Sequence, residues 1–145
     1  MKAAAKARMS LVLDCSITLA WILPGETTEA IQRVRDLVTE CGAWVPALWR
    51  LEVANVLEVG VRRGRHDAEF RDNTLADLAL LPIQVDTETN TQAWGATLRL
   101  AKRYRLTLYD TAYLELALRR GLPLATLDVD LRSATLAAGA QLLPV

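Results

Sequence analysis

The stretch LVLDCSITLAW, residues 11–21, runs three apolar residues into an acid, Asp14, and then straight into a second apolar segment. A short strand that ends on a carboxylate and turns at once into a helix belongs at the carboxyl edge of a parallel α/β sheet, where ligands bind. Working outward, comparable apolar runs recur at 43–45, 83–85, 124–127 and 141–143. Segments of helical period lie between them, near 17–23, 28–40, 46–63, 67–80, 89–104, 109–120 and 131–138. This alternation predicts a mostly parallel sheet of four to five strands joined by crossover helices. Gly121-Leu122-Pro123 and Gly139 are helix stops.

A chain of 145 residues fits one domain with a full core. We expect that domain over residues 9–145, with 1–8 as a loose extension ahead of Met9. Lysine plus arginine and aspartate plus glutamate both number 17, so no overall basic field advertises a polyanion. Contact with nucleic acid would have to rest on local clusters. Cys15 and Cys41 show neither C-x-x-C spacing nor a histidine partner, which suits buried thiols in an intracellular protein better than a disulfide framework or a zinc site. The start MKAAAKARM has the charge of a signal peptide's first region, but Asp14 and Ser16 break the apolar stretch after it and no A-x-A-like cleavage site follows. No window approaches the roughly 18 apolar residues of a membrane span, so the expected location is the cytoplasm.

Four acids stand where apolar residues surround them. Asp14 and Asp128 each close an apolar run, in LVLD and LATLD, and would meet at one sheet edge if their strands are central. Glu52, in ALWRLEVANVLEV, shares a helix face with Leu48, Val56 and Val59, which points its carboxylate toward the core. Asp110, in TLYDTAYLELAL, shares its face with Tyr113, Leu114 and Ala117. Each acid also has a plainer explanation. Asp110 follows Thr107 at capping-box spacing, Glu52 could pair with Arg63 or Arg105, and Asp14 and Asp128 could each cap the helix after them.

Convergence of all four would require either that some are protonated or that a cation sits among them, because two like charges about 4 Å apart repel by about 4 kcal/mol even at an effective dielectric of about 20. Oxygen donors alone, with no cysteine and with the single histidine His66 in a loop segment RRGRHD, suit one or two hard Mg²⁺ or Mn²⁺ ions. Such ions are commonly completed by substrate phosphate, which points to phosphoryl chemistry with an activated water.

In their order and spacing, Asp14 in LVLDCS, Glu52 in RLEVANVL, Asp110 in LTLYDTAYLELA and Asp128 in LPLATLDVDL resemble the acidic quartet of the PIN-domain nucleases. Within that family the likeness is to the VapC-like ribonucleases of toxin-antitoxin pairs, and it runs from about Met9 to the C-terminus. The resemblance implies a three-layer α/β/α sandwich, metal-dependent endonuclease action on RNA, a homodimer, and inhibition by a small cognate antitoxin. It makes Asp14 and Asp110 the foremost metal ligands, with Glu52 and Asp128 acting directly or through water. Ser16 and Thr126 fall at hydroxyl positions that would orient an acid or a phosphate, although an ordinary cap or strand threonine explains them equally well. Asp130 is either a supporting acid or a helix cap.

Basic clusters at 62–66 (RRGRH), 99–105 (RLAKRYR) and 119–120 (RR) are candidates for binding phosphate, though each also suits a solvated helix end. The first, with Arg62, Arg63 and Arg65, directly follows the helix bearing Glu52 and is favoured. The four tryptophans, Trp21, Trp44, Trp49 and Trp94, read as core or interface. The apolar faces between Ile17 and Val38 are where an antitoxin segment is expected. Two other enzyme classes fit worse. DCSIT lacks the second acid of a haloacid-dehalogenase-like phosphatase, and the C-terminal LLPV lacks the lysine of a receiver domain. A non-catalytic RNA- or partner-binding module on the same fold is the alternative to an enzyme.

Overall fold

The computed structural model describes residues 10–145, so the extension expected over 1–8 lies outside the described residues. The chain forms β1 (Leu11–Leu13), α1 (Cys15–Ile22), α2 (Glu29–Cys41), β2 (Ala43–Val45), α3 (Trp49–Arg62), α4 (Ala68–Ala79), β3 (Ile83–Val85), α5 (Thr89–Gln92), α6 (Ala96–Tyr104), α7 (Leu108–Arg120), β4 (Leu124–Ala125) and α8 (Val129–Ala137). The sheet is four-stranded in the order β3-β2-β1-β4, and every pair is parallel. Leu11 lies opposite Ala43, while Val12 and Leu13 lie opposite Leu124 and Ala125. Successive strand residues point to opposite faces, yet all three residues of β1 are at most 1% exposed. Both faces are therefore covered, which is why β1 reads as an unbroken apolar run rather than an alternation. The chain lays β1, β2 and β3 toward one side and then returns to place β4 on the other side of β1. That reversal falls beside Asp14 and Asp128, at the position where open α/β sheets leave a crevice.

Three elements differ from the expectation. The run at 124–127 keeps only Leu124 and Ala125 in the ladder. The amides of Leu127 and Asp128 instead donate to the hydroxyls of Ser16 (3.0 Å) and Thr126 (3.1 Å), which turns the chain out of the sheet. The run at 141–143 contributes one parallel bridge, Leu124 to Leu142, rather than a strand. The segment 89–104 is two helices, not one. Residues 93–95 form a turn, and Gly95, of weak helix propensity, takes ψ −105 outside the helical region.

Local capping holds the helices that frame the crevice. Thr28 accepts from the Ile31 amide at the start of α2, and Thr107 accepts from the Asp110 amide at the start of α7. Trp21 donates its indole N–H to the Ile31 carbonyl (3.1 Å), so α1 and α2 pack through a satisfied ring. Trp49 likewise donates to the Thr18 hydroxyl (3.1 Å), joining α3 to α1. At the far end of α3, the His66 ring lies directly on the bare backbone of Gly60 and its Nε2 is 2.7 Å from the Leu57 carbonyl. Any Cβ at residue 60 would overlap the imidazole.

Candidate active site

Asp14 follows β1 with extended backbone (φ −75, ψ 148), stands as the N-cap residue of α1, and is 6% exposed. Its side chain does not cap that helix. The Oδ2 atom instead accepts from two hydroxyls, Ser16 and Thr126, each at 2.7 Å. Those hydroxyls are the ones that receive the Leu127 and Asp128 amides. Two donors from two elements thus fix the carboxylate's direction, and the same two atoms fix the backbone that carries Asp128. Burial pushes the Asp14 carboxyl above its ordinary range; the Ser16 and Thr126 bonds pull it back, and the Asp128 charge adds to the rise.

Glu52 lies in the first turn of α3 and is half-buried. Its expected apolar face is only partly so, because Val56 is 37% exposed and the core side of α3 is Trp49, Val53, Leu57 and Gly60. Glu52 stands at the margin of the core. Its partner is not an arginine: Oε1 accepts from the Tyr113 hydroxyl at 2.6 Å. Burial raises the Glu52 carboxyl, the Tyr113 bond opposes this, and the charges of Asp14 and Asp110 raise it further. Tyr113 is fully buried, and burial together with Glu52 pushes its phenol far above the usual range. Asp110 sits one turn before Tyr113 on α7, on the face of Tyr113, Leu114 and Ala117, all at most 1% exposed. Its carboxyl is raised by burial, then by Asp128 and Asp14, while Thr107 lowers it and Asp130 adds a smaller rise. The capping role of Thr107 and the inward placement of Asp110 coexist.

Asp128 is exposed, and its Oδ1 accepts from the Leu131 amide at 2.7 Å, so it does cap α8. Its charge nonetheless reaches both Asp14 and Asp110. Asp130 is exposed in the first turn of α8, and its charge acts on Asp110. The structure thus brings Asp14, Glu52, Asp110 and Asp128 to one sheet edge where their charges act on one another. Among the described residues none of the four is in an ion pair. The donor set suits a hard divalent cation, being oxygen only and unpaired with any basic side chain among the described residues. No group of three or more acidic, histidine or cysteine side chains is arranged to hold a metal ion among the described residues. Mg²⁺ needs only one or two carboxylates and otherwise keeps water or substrate oxygens.

A third strand-end acid, Asp86, was missed by sequence reasoning although it follows β3 in the same way. It is 1% exposed and is neutralised from within the chain. Arg119 bonds it at 2.6 and 3.1 Å, Arg120 lies at 3.5 Å, and Arg119 also holds Glu115 and Glu88. Burial would raise Asp86, but Arg119, Arg120 and Thr89 outweigh it and hold the carboxyl below its ordinary range. The pair at 119–120 is therefore consumed by acids and by Trp44, over which Arg120 stacks at 3.4 Å. It is not a free phosphate-binding cluster.

The cluster at Arg62, Arg63 and Arg65 is also displaced from the acids. Glu52 lies in the first turn of α3 and Arg62 is its last residue, about 15 Å away at about 1.5 Å per residue. The arginines stand at the opposite end of the helix, and Arg62 pairs with Glu58. The cluster at 99–105 is better placed, since Arg105 leads through two residues into α7 and Asp110. Arg105 is held in left-handed backbone (φ 55) as the cap of α6 and shares a surface hollow with Tyr104, Asp130 and Ser133.

The apolar faces of α1 and α2 are mostly used inside the molecule: Trp21, Ile31, Val34 and Val38 are buried. Exposed apolar side chains gather elsewhere. A groove of about 520 Å³ between α3, α5, α6 and α7 is lined by Leu48, Leu51, Ala93, Leu108, Tyr109 and Ala112, and Trp94, 92% exposed, follows Ala93. Both cysteines are free; Cys15 is buried, with its thiol pushed up to about 12 by burial, Glu52 and Asp14, and Cys41 is half-buried. Among the described residues no helix is long and apolar enough to cross a membrane.

Residues 11–135 match the family described as PIN domain. Ribonuclease VapC3 of Pyrobaculum aerophilum is 31% identical over 120 residues, covering 83% of this chain and 90% of that protein. The crystal structure of PAE2754 from Pyrobaculum aerophilum superposes with a TM-score of 0.61 at 21% identity, covering 88% of this chain and 85% of the other, which is a likeness of fold.

Proposed function

The chain belongs to the PIN-domain family, in the VapC-like branch, and from that premise we propose that it is a divalent-metal-dependent endoribonuclease acting as the toxin of a toxin-antitoxin pair. The observation that carries this reading is the contrast between two sets of acids. Asp86 and Glu115 are neutralised by arginine, whereas Asp14, Glu52 and Asp110 are raised by burial and mutual repulsion with no ion pair among the described residues. An uncompensated acidic edge suits a chain that recruits its positive charge from solution.

In this reading Asp14 and Asp110 hold Mg²⁺ or Mn²⁺, and Glu52 and Asp128 complete the site directly or through water. The chemistry a bound ion supplies is activation of a water for in-line attack on a phosphodiester. The chain's own residues do the rest. Ser16 and Thr126 hold Asp14 in one rotamer, and the capping bond to Leu131 steadies Asp128. Arg105 and Lys102, at the end of α6 just before α7 in the chain, are the cations we assign to the phosphates of the strand. The 62–65 arginines are too far along α3 for that role.

The partners in this reading are RNA, a small antitoxin and a second copy of the chain, all met in the cytoplasm. The exposed apolar groove flanked by Trp94 supports a covered surface, since charged residues are absent from its lining. The test is cleavage of a mixed pool of structured and single-stranded RNAs with Mg²⁺ or Mn²⁺ against EDTA, beside Asp14→Asn. Metal-dependent products that vanish in the variant are expected. Equal cleavage by Asp14→Asn would remove the assigned site, and no cleavage of any RNA would favour a binding module.

A further inference from the structure

We propose that Tyr113 is a positioning residue, whose hydroxyl aims the Glu52 carboxylate into the metal-binding edge formed with Asp14 and Asp110. The inference rests on the metal reading above and adds a residue to it.

The argument begins with where Glu52 stands. Its helix face is only half apolar, with Val56 37% exposed, so water is within reach of a side chain with three rotatable bonds. The charges of Asp14 and Asp110 disfavour an ionised Glu52 beside them. The bond that holds Glu52 in place comes from α7: the Tyr113 hydroxyl donates to Oε1 at 2.6 Å, the length of a strong bond to an ionised oxygen. Tyr113 can hold Glu52 firmly because its ring is fully buried and cannot follow the carboxylate outward. It also stands one turn after Asp110, so one helix face carries a proposed ligand and the anchor of another. With Oε1 occupied, Oε2 is the oxygen left for an ion.

The device repeats on the opposite wall of the site. There Ser16 and Thr126 occupy one oxygen of Asp14 and fix its direction, as hydrogen-bond partners behind a ligand commonly do. A phenylalanine at 113 would keep the buried ring and remove only the hydroxyl that bonds Glu52. The oxygen is therefore informative about the site rather than about packing.

The experiment measures Mn²⁺ affinity without RNA, by electron paramagnetic resonance of the free ion, for the wild-type chain, Tyr113→Phe, Glu52→Gln and the double variant. Circular dichroism checks that each is folded, and the retained ring makes that the expected result for Tyr113→Phe. The expected outcome is an affinity about 10- to 100-fold weaker in Tyr113→Phe, with little further loss when the same change is made in Glu52→Gln. Cleavage by Tyr113→Phe should recover as Mn²⁺ is raised to saturation, while that of Glu52→Gln should not. Unchanged affinity in Tyr113→Phe, or the same loss in both backgrounds, overturns the role assigned to Tyr113 while leaving the metal site in place. A wild-type chain that binds no Mn²⁺ overturns the metal reading, and this inference with it.

Discussion

Thr126 spends one hydroxyl on two tasks. It donates to Asp14 and accepts from the Asp128 amide, so it is the atom through which the two strand-end acids share one geometry. Thr126→Val keeps the shape and removes both bonds. Leaving the part-buried Asp128 amide unpaired and the buried Asp14 carboxylate with Ser16 as its one remaining hydroxyl donor should lower stability by about 1 kcal/mol, read from urea unfolding. Metal affinity should fall by about 10- to 100-fold at the same time; a stable variant with wild-type affinity would show that the hydroxyl orients nothing. Asp86 offers the opposite experiment. Arg119→Met strands a carboxylate whose side chain is wholly buried, and about 3 kcal/mol or more should be lost, visible as a lower melting temperature. A variant that melts with the wild type would mean that Arg120 alone can neutralise the acid.

Helices α3 and α7 matter because each begins at the sheet's carboxyl edge and carries its acid in the first turn. A residue's position along the helix therefore decides its distance from the site. Replacing Arg62, Arg63 and Arg65 together by alanine should leave RNA cleavage within about twofold of wild type, because those side chains sit about 15 Å down the helix from Glu52. Arg105→Ala, by contrast, should raise KM by about tenfold and flatten the salt dependence, as loss of one phosphate contact would. The reverse pattern in the two variants would return the substrate to the α3–α4 corner. That corner was the favoured surface in the sequence because it adjoins the Glu52 helix in the chain. Chain adjacency counts residues, whereas a helix converts ten residues into a separation larger than any side chain spans. The acids themselves were legible for a related reason: each sits in a local pattern, a strand end or a helix face, that a few neighbours reveal.

For the whole molecule the raised carboxyls set a dependence on pH and on metal. The folded state binds protons at Asp14, Glu52 and Asp110 more tightly than the unfolded chain, where carboxyls titrate near about 4. Their contribution to stability is complete below that value and is lost as pH rises through their raised folded values. Asp86, held below its ordinary range, behaves oppositely: its contribution is present above about pH 4 and disappears as pH falls through its lowered value. In EDTA the melting temperature should therefore fall as pH is raised from about 5 to about 7.5, and Asp14→Asn should fall less. Mg²⁺ or Mn²⁺ at the upper pH should restore wild type more than the variant. A melting temperature indifferent to both pH and metal would mean that the acids do not act as one charged site.

What the sequence determined by itself is the α/β class, the parallel sheet and the identity of the edge acids, because apolar period and strand-end carboxylates are written within a few residues of one another. Tertiary structure alone decided which charges are satisfied and by what. Asp86 and Arg119 are 33 residues apart, Glu52 and Tyr113 are 61 apart, and Asp14 and Thr126 are 112 apart. Asp14 and Thr126 meet because β4 returns to the far side of β1, and α7, packed against β1 and β4, carries Tyr113 and Arg119 to acids on other elements. A carboxylate looks the same in a sequence whether an arginine neutralises it or water does; its partner is set by the packing of elements distant in the chain, and that partner separates Asp86, a strut, from Asp14, a proposed ligand.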